Sequence, residues 1–179
     1  MTGGNLSNIY FQTFYVSKEE SNCPLIVNAL KVEKNIKEQN LSDSIISQRY
    51  GRRILINSLD DAEKARANFL EIVDYDPIKK VLLAMGPNEP RIETPLHWFI
   101  HHARNEVNAV IQINDKELSE KMKKAPKTEK DYLLTSLEQI KEVLKHLRNS
   151  KKVIIKNQGA IFVGSNIDEA ERLVLEEIK

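Results

Sequence analysis

Glu93 is the residue of this chain best placed to act on a proton. It stands just ahead of Thr94-Pro95, where a helix is expected to begin. A positioned carboxylate can serve as a general acid or base, worth about 10²- to 10⁴-fold in rate. The same position also suits a carboxylate with no chemistry to do, because the positive end of a helix dipole favours a negative charge. That second reading is the stronger one for Glu93 taken alone. His97 and His101 follow four residues apart with His102 beside them, a spacing that can seat a metal ion. However, the order His-Trp-Phe-Ile-His-His lacks the Glu that follows the first His in zinc-protease helices, and no third ligand is marked, so structural use is favoured. Lys121, Lys123, Lys124, Lys127 and Lys130 surround a proline loop and read as a solvated connection rather than an anion site. Cys23, next to Pro24 at a helix start, has no His or Asn placed near it by any motif and is read as incidental.

The elements that must position these groups alternate between strand and helix patterns. Ile9 to Val16 is aromatic and β-branched, a strand. Pro24 to Gln39 reads as a helix with Asn22 as N-cap and Leu25, Ala29, Val32 and Ile36 on one face. Ser44 to Gln48 and Arg53 to Ile56 flank Tyr50-Gly51 as a hairpin. Ser58-Leu-Asp-Asp61 resembles a capping box opening a helix to about Asn68. Phe69 to Tyr75 and Lys79 to Met85 form two strands around Asp76-Pro77. Thr94 is expected to cap the histidine-bearing helix, with Pro95 at its first position. Val107 to Ile113 is a strand, and Asp115 to Lys124 a short exposed helix. Thr135-Ser-Leu-Glu138 is expected to cap a helix whose stripe is Leu137, Ile140, Leu144 and Leu147. Val153 to Ile155 and Ala160 to Val163 bracket the turn Asn157-Gln-Gly159. Ser165 to Asp168 then caps a last helix facing inward through Ile167, Ala170, Leu173, Val174 and Ile178.

Composition bounds the classes available. The 179 residues fit one domain, 1–179, large enough to bury about 70% of the surface of the unfolded chain. A net charge of +1 gives no general case for nucleic acid or an anionic membrane as partner. No apolar run approaches the roughly 20 residues that span a bilayer. The first residues lack the basic-then-apolar order of a signal peptide, and a single cysteine fits a reducing compartment, so a cytoplasmic location is expected.

Four blocks, in order, resemble the class II aldolase/adducin family. They are Ser47-Gln-Arg-Tyr-Gly-Arg-Arg-Ile-Leu-Ile56, Glu93-Thr-Pro-Leu-His97, Asn105-Glu-Val-Asn-Ala-Val110, and Lys156-Asn-Gln-Gly-Ala-Ile-Phe-Val-Gly164 with Asp168-Glu-Ala170. Glu93 and Gln112 lie 19 residues apart, as in that family. The resemblance covers roughly residues 44–179 and leaves 1–43 as an atypical N-terminal strand and helix. It implies a three-layer α/β/α domain whose central, mostly antiparallel sheet is flanked by helices.

The resemblance also implies a zinc ion held by three histidines, a glutamate that moves the proton, and a small-residue rim that binds phosphate. Glu93 stands at the glutamate position, but the three ligand positions hold Gln112, Asn114 and Gln158. Carboxamide oxygens are neutral, weak donors to a borderline-soft cation, so the zinc site is expected to be lost and no cofactor is expected. The rim positions hold Ser44-Ile45, about Leu59-Asp60, and Arg91-Ile92 in place of paired serines. Such side chains hinder the close backbone approach that phosphate needs, although Arg91 could offer a charge instead. A string at the N-terminus, Thr2-Gly-Gly-Asn-Leu-Ser7, matches the family's Gly-x-x-Gly-Asn-x-Ser but reads as coincidence because of its position.

The reading is a degenerate member without zinc-dependent catalysis, serving as a small-molecule-binding or assembly module. Its degenerate pocket would comprise Arg91, Gln112, Asn114 and Gln158. The resemblance implies a homotetramer, and adducin shows that this fold can serve without catalysis. The alternative is an aldolase- or epimerase-type lyase acting on a small hydroxy-carbonyl substrate through Glu93. A subunit that completes a site on an active paralogue is a third possibility.

Overall fold

Inward-facing apolar positions on two opposite faces of one sheet determine the layering. The structure is a computed structural model that describes residues 11–41, 43–58 and 65–179. In chain order the elements are β1 (Gln12–Ser17), α1 (Ile26–Glu38), β2 (Ser44–Tyr50), β3 (Arg53–Asn57), a 3₁₀ turn (Ala65–Asn68), β4 (Phe69–Asp76) and β5 (Val81–Met85). There follow α2 (Thr94–Ala103), β6 (Ala109–Ile113), α3 (Lys116–Lys121), α4 (Leu137–Leu147), β7 (Lys152–Ile155), β8 (Gly159–Gly164) and α5 (Ile167–Ile178).

The strands form one eight-stranded sheet in the order β1-β5-β4-β3-β2-β6-β8-β7. The β1–β5 pair is parallel and the other six neighbouring pairs are antiparallel, so the sheet is mixed and mostly antiparallel. Because successive side chains alternate faces, Ala109, Ile111 and Ile113 of β6 pack with α1, α3 and α5, while Val110 packs with α2 and α4. The result is the expected α/β/α sandwich.

Two arginines tie down the second helical layer, one joining α2 to the sheet and the other joining α2 to α4. Arg49 of β2 donates from Nη2 to the carbonyls of His101 and Val107 (2.9 Å for the latter), and Arg104 donates from Nη1 to those of Leu147 and Ser150. A cation at the end of a helix satisfies carbonyls that have no intrahelical partner. Both α2 and α4 are thus held at their C-terminal ends, which leaves their N-termini together at the other end of the sheet.

Several local expectations shift. The N-cap of α1 is Leu25 rather than Asn22 and makes no side-chain cap bond. Glu93, not Thr94, occupies the N-cap of α2, and the Thr94 hydroxyl is buried without a partner. Ser136 rather than Thr135 caps α4, accepting from Gln139 N at 3.2 Å. That one-residue shift leaves Leu137 exposed and buries Gln139 and Val143 with Ile140 and Leu147. Asn166, not Ser165, caps α5. The helix at Lys116–Lys121 is not wholly exposed, since Leu118 and Ser119 are buried. The expected cap at Ser58–Asp61, the rim at Leu59-Asp60 and the Thr2–Ser7 string lie wholly or partly outside the described residues.

Candidate functional site

Three chain segments meet where β2 begins and β6 ends. Asn114 N donates to Asp43 O at 2.9 Å, pinning the two strand ends together. The loop before α2 lays Arg91 and Glu93 beside them. Gly159 closes the fourth side, for a Cβ built there would lie 1.8 Å from Ile113 O. No larger residue lets β8 approach β6 this closely.

Arg91 Nη2 lies 2.7 Å from Asp43 Oδ1, and its Nε lies 3.2 Å from Glu93 Oε2. Asn114 Nδ2 donates to Asp43 Oδ2 at 3.0 Å and to Glu93 Oε1 at 2.9 Å. Glu93 is 3% exposed, so its carboxylate is enclosed and accepts from both the guanidinium and the carboxamide. Burial works against the Arg91 charge, but the hydrogen bonds and charges of Glu93 and Asp43 outweigh it and raise its pKa.

A second branch runs inward from Asn114 along the buried face. Gln112 Nε2 donates to Asn114 Oδ1 at 3.2 Å, and Gln112 Oε1 faces His97 Nε2 at 3.1 Å. His97 Nδ1 lies 2.7 Å from Ser47 Oγ, which lies 2.9 Å from His101 Nε2. Ionised carboxylates only accept, so the direction of each bond follows from Asp43 and Glu93. Asn114 must donate to them and therefore accepts from Gln112, and Gln112 accepts from His97 Nε2–H. The bare His97 Nδ1 then takes the Ser47 proton, and Ser47 in turn accepts from His101 Nε2–H. His101 Nδ1 is left bare, 3.3 Å from Val107 O. A further proton there would make His101 cationic, which burial opposes: burial is the first cause holding both His97 and His101 down at about 3.

Gln158 belongs to a different network. Its Oε1 accepts from Gln139 Nε2 at 2.8 Å, and its Nε2 donates to Asp131 Oδ1 at 3.3 Å and to the Tyr132 carbonyl. The structure therefore joins Glu93, Arg91, Gln112 and Asn114 through hydrogen bonds and turns Gln158 toward the segment ahead of α4. Asp43 and Ser47 also belong to the first network, and sequence reasoning did not single them out. Ser47 carried a signal, being a polar residue on the same face of its strand as Ile45, with Ile46 on the other face; buried polar groups generally have a buried partner.

A zinc ion does not fit these residues. The carboxamide oxygens of Gln112 and Asn114 are taken up by His97 and by Gln112, and that of Gln158 by Gln139. Among the described residues, no group of three or more His, Cys, Asp or Glu could hold a metal ion.

Neither a family model nor a curated protein matches the sequence. Solved structures do match. An L-fuculose 1-phosphate aldolase superposes with a TM-score of 0.70 at 15% identity, covering 89% of this chain and 83% of its own. The L-fuculose-1-phosphate aldolase of Thermus thermophilus gives 0.67 at 18% identity, with 86% and 89% covered. The N-terminal class II aldolase domain of a conserved protein from Thermoplasma acidophilum gives 0.62 at 14% identity, with 96% and 95% covered. The chain therefore has the class II aldolase fold, in agreement with the resemblance read from its sequence.

Proposed function

We propose that this chain is a degenerate class II aldolase-like protein, without zinc-dependent catalysis, that works as a small-molecule-binding or assembly module. The observation that carries this reading is the enclosure of Glu93 by Arg91 and Asn114. A general base needs a lone pair open to a substrate proton, and the Glu93 carboxylate, 3% exposed, already accepts three hydrogen bonds from a guanidinium and a carboxamide. Arg91 is likewise committed to two carboxylates rather than open to phosphate. The surviving fold, with Phe14, Val16, Leu133 and Leu137 exposed, supports self-association, and the family resemblance points to a tetramer. A single cysteine, buried and free, accords with a cytoplasmic home. Among the described residues no helix is long and apolar enough to cross a membrane.

The test combines elemental analysis of untagged protein with an aldol-cleavage assay on L-fuculose 1-phosphate, with and without added zinc. The expected result is no stoichiometric metal and no cleavage. Turnover that disappears in Glu93→Gln would instead establish the lyase reading, which the likeness to L-fuculose-1-phosphate aldolases favours. Light scattering of the same sample reads the oligomeric state.

A further inference from the structure

We propose that Arg91 is a built-in cation that does for Asp43 and Glu93 what a bound metal ion would otherwise have to do. The inference rests on the reading that the site no longer holds zinc, and it adds what took the charge's place. Glu93 keeps a side chain 4% exposed and Arg91 one 11% exposed. A carboxylate so enclosed needs a positive partner, because an unpaired charge in a protein interior is costly. The guanidinium supplies it in planar form, with Nε and Nη2 reaching Glu93 at 3.2 and 3.4 Å and Nη2 also reaching Asp43 at 2.7 Å. Asn114, at one of the former ligand positions, donates to the same two carboxylates, so it too is organised around this charge.

A guanidinium differs from a metal ion in three respects. It cannot leave, it stays charged at every ordinary pH, and it has no open coordination position with which to polarise a carbonyl. The same residue thus keeps the buried Glu93 carboxylate tolerable, pairs with the half-exposed Asp43, and withholds Lewis acidity from both. Arg91-Ile92 also stands where the resemblance has paired serines, so one replacement both fills the anion rim and supplies the cation.

Arg91→Ala vacates this position and allows chemical rescue. The expected result is an unfolding equilibrium shifted by roughly 10²- to 5 × 10³-fold toward the unfolded state. Guanidinium chloride, far below denaturing concentrations, should raise the melting temperature of this variant while equal sodium chloride does not. The wild type and the triple variant Asp43→Asn/Glu93→Gln/Arg91→Ala should show no such rise. If Arg91→Ala melts like the wild type, or the triple variant is rescued equally, the proposal fails. Should Arg91→Ala not fold, Arg91→Met is compared in the wild type and in Asp43→Asn/Glu93→Gln. The proposal requires Arg91→Met to be far less damaging in the neutral background, and equal damage in both overturns it. Metal content of the wild type tests the underlying reading separately, because zinc there would sink that reading without involving these variants.

Discussion

Gln112 and Gln158 bear the same side chain at two positions that the resemblance treats alike, yet their surroundings differ in kind. Gln112 is fully buried, and its carboxamide is fixed at one end by His97 and at the other by Asn114. Gln158 is half-buried on the turn between β7 and β8, and bonds to Gln139, Asp131 and the Tyr132 carbonyl. The inner network includes charges at one end and neutral imidazoles at the other, with every donor direction dictated by the carboxylates. The outer network runs from exposed Asp131 through half-buried Gln158 to buried Gln139, and ends at Thr135, whose hydroxyl is buried without a partner. The same side chain thus serves in two ways: in a closed polar core beside charged groups, and in a partly exposed latch between the β7–β8 turn and α4.

If that contrast is right, damage should scale with enclosure. Arg91→Ala should cost about 3–5 kcal/mol by denaturant titration, the usual range when one partner of a buried pair is removed. Gln158→Ala should cost about 1 kcal/mol, the net worth of an ordinary hydrogen bond. Comparable losses would erase the distinction between the regions.

Acid should strike the inner network next. His97 and His101 are held down at about 3 from 6.5, with burial the first cause. The unfolded chain therefore binds more protons than the folded one between those values. Stability is complete above about pH 6.5 and falls as pH drops below it, by about 1.4 kcal/mol per pH unit for each histidine. Replacing either ring should roughly halve the slope of stability against pH. Nitrogen NMR at neutral pH should find both rings protonated at Nε2, and an Nδ1–H signal from His97 would break the inferred chain of donors.

How much of this was legible in the sequence depends on how local each signal was. The β2–β3, β4–β5 and β7–β8 hairpins were readable because strand pattern and turn residues lie within a few positions of each other. Glu93, Arg91, Gln112 and Asn114 came from the family resemblance, lying in or beside two neighbouring blocks. Asp43 and Ser47 did not, because their partners Arg91 and His97 lie 48 and 50 residues away and no local periodicity reports such a pairing. The capping of α4 shows a subtler limit. Thr135-x-x-Glu138 and Ser136-x-x-Gln139 both fit the capping-box pattern, and choosing the first turns the helix by about 100°. That rotation places Leu137 inward on paper, whereas in the structure Gln139 is buried and its Oε1 accepts from Thr135 N at 2.6 Å.

Thr135 offers the finest test of the outer region. Among the described residues, four non-glycine positions have positive φ, and Thr135, at 60°, is the β-branched one. A left-handed backbone costs an L-residue about 1–2 kcal/mol, and a buried hydroxyl without a partner adds to that cost. Thr135→Gly removes both penalties, while glycine's greater freedom in the unfolded chain takes back about 0.5–1 kcal/mol and the lost methyl group takes back more. The net expectation is a gain of at most about 1 kcal/mol. Thr135→Ala separates the causes, since it removes the hydroxyl but keeps a Cβ in the strained region. Glycine should therefore be at least as stable as alanine at this position, and a Thr135→Gly variant that unfolds more readily than Thr135→Ala would show that the turn holds no strain worth releasing.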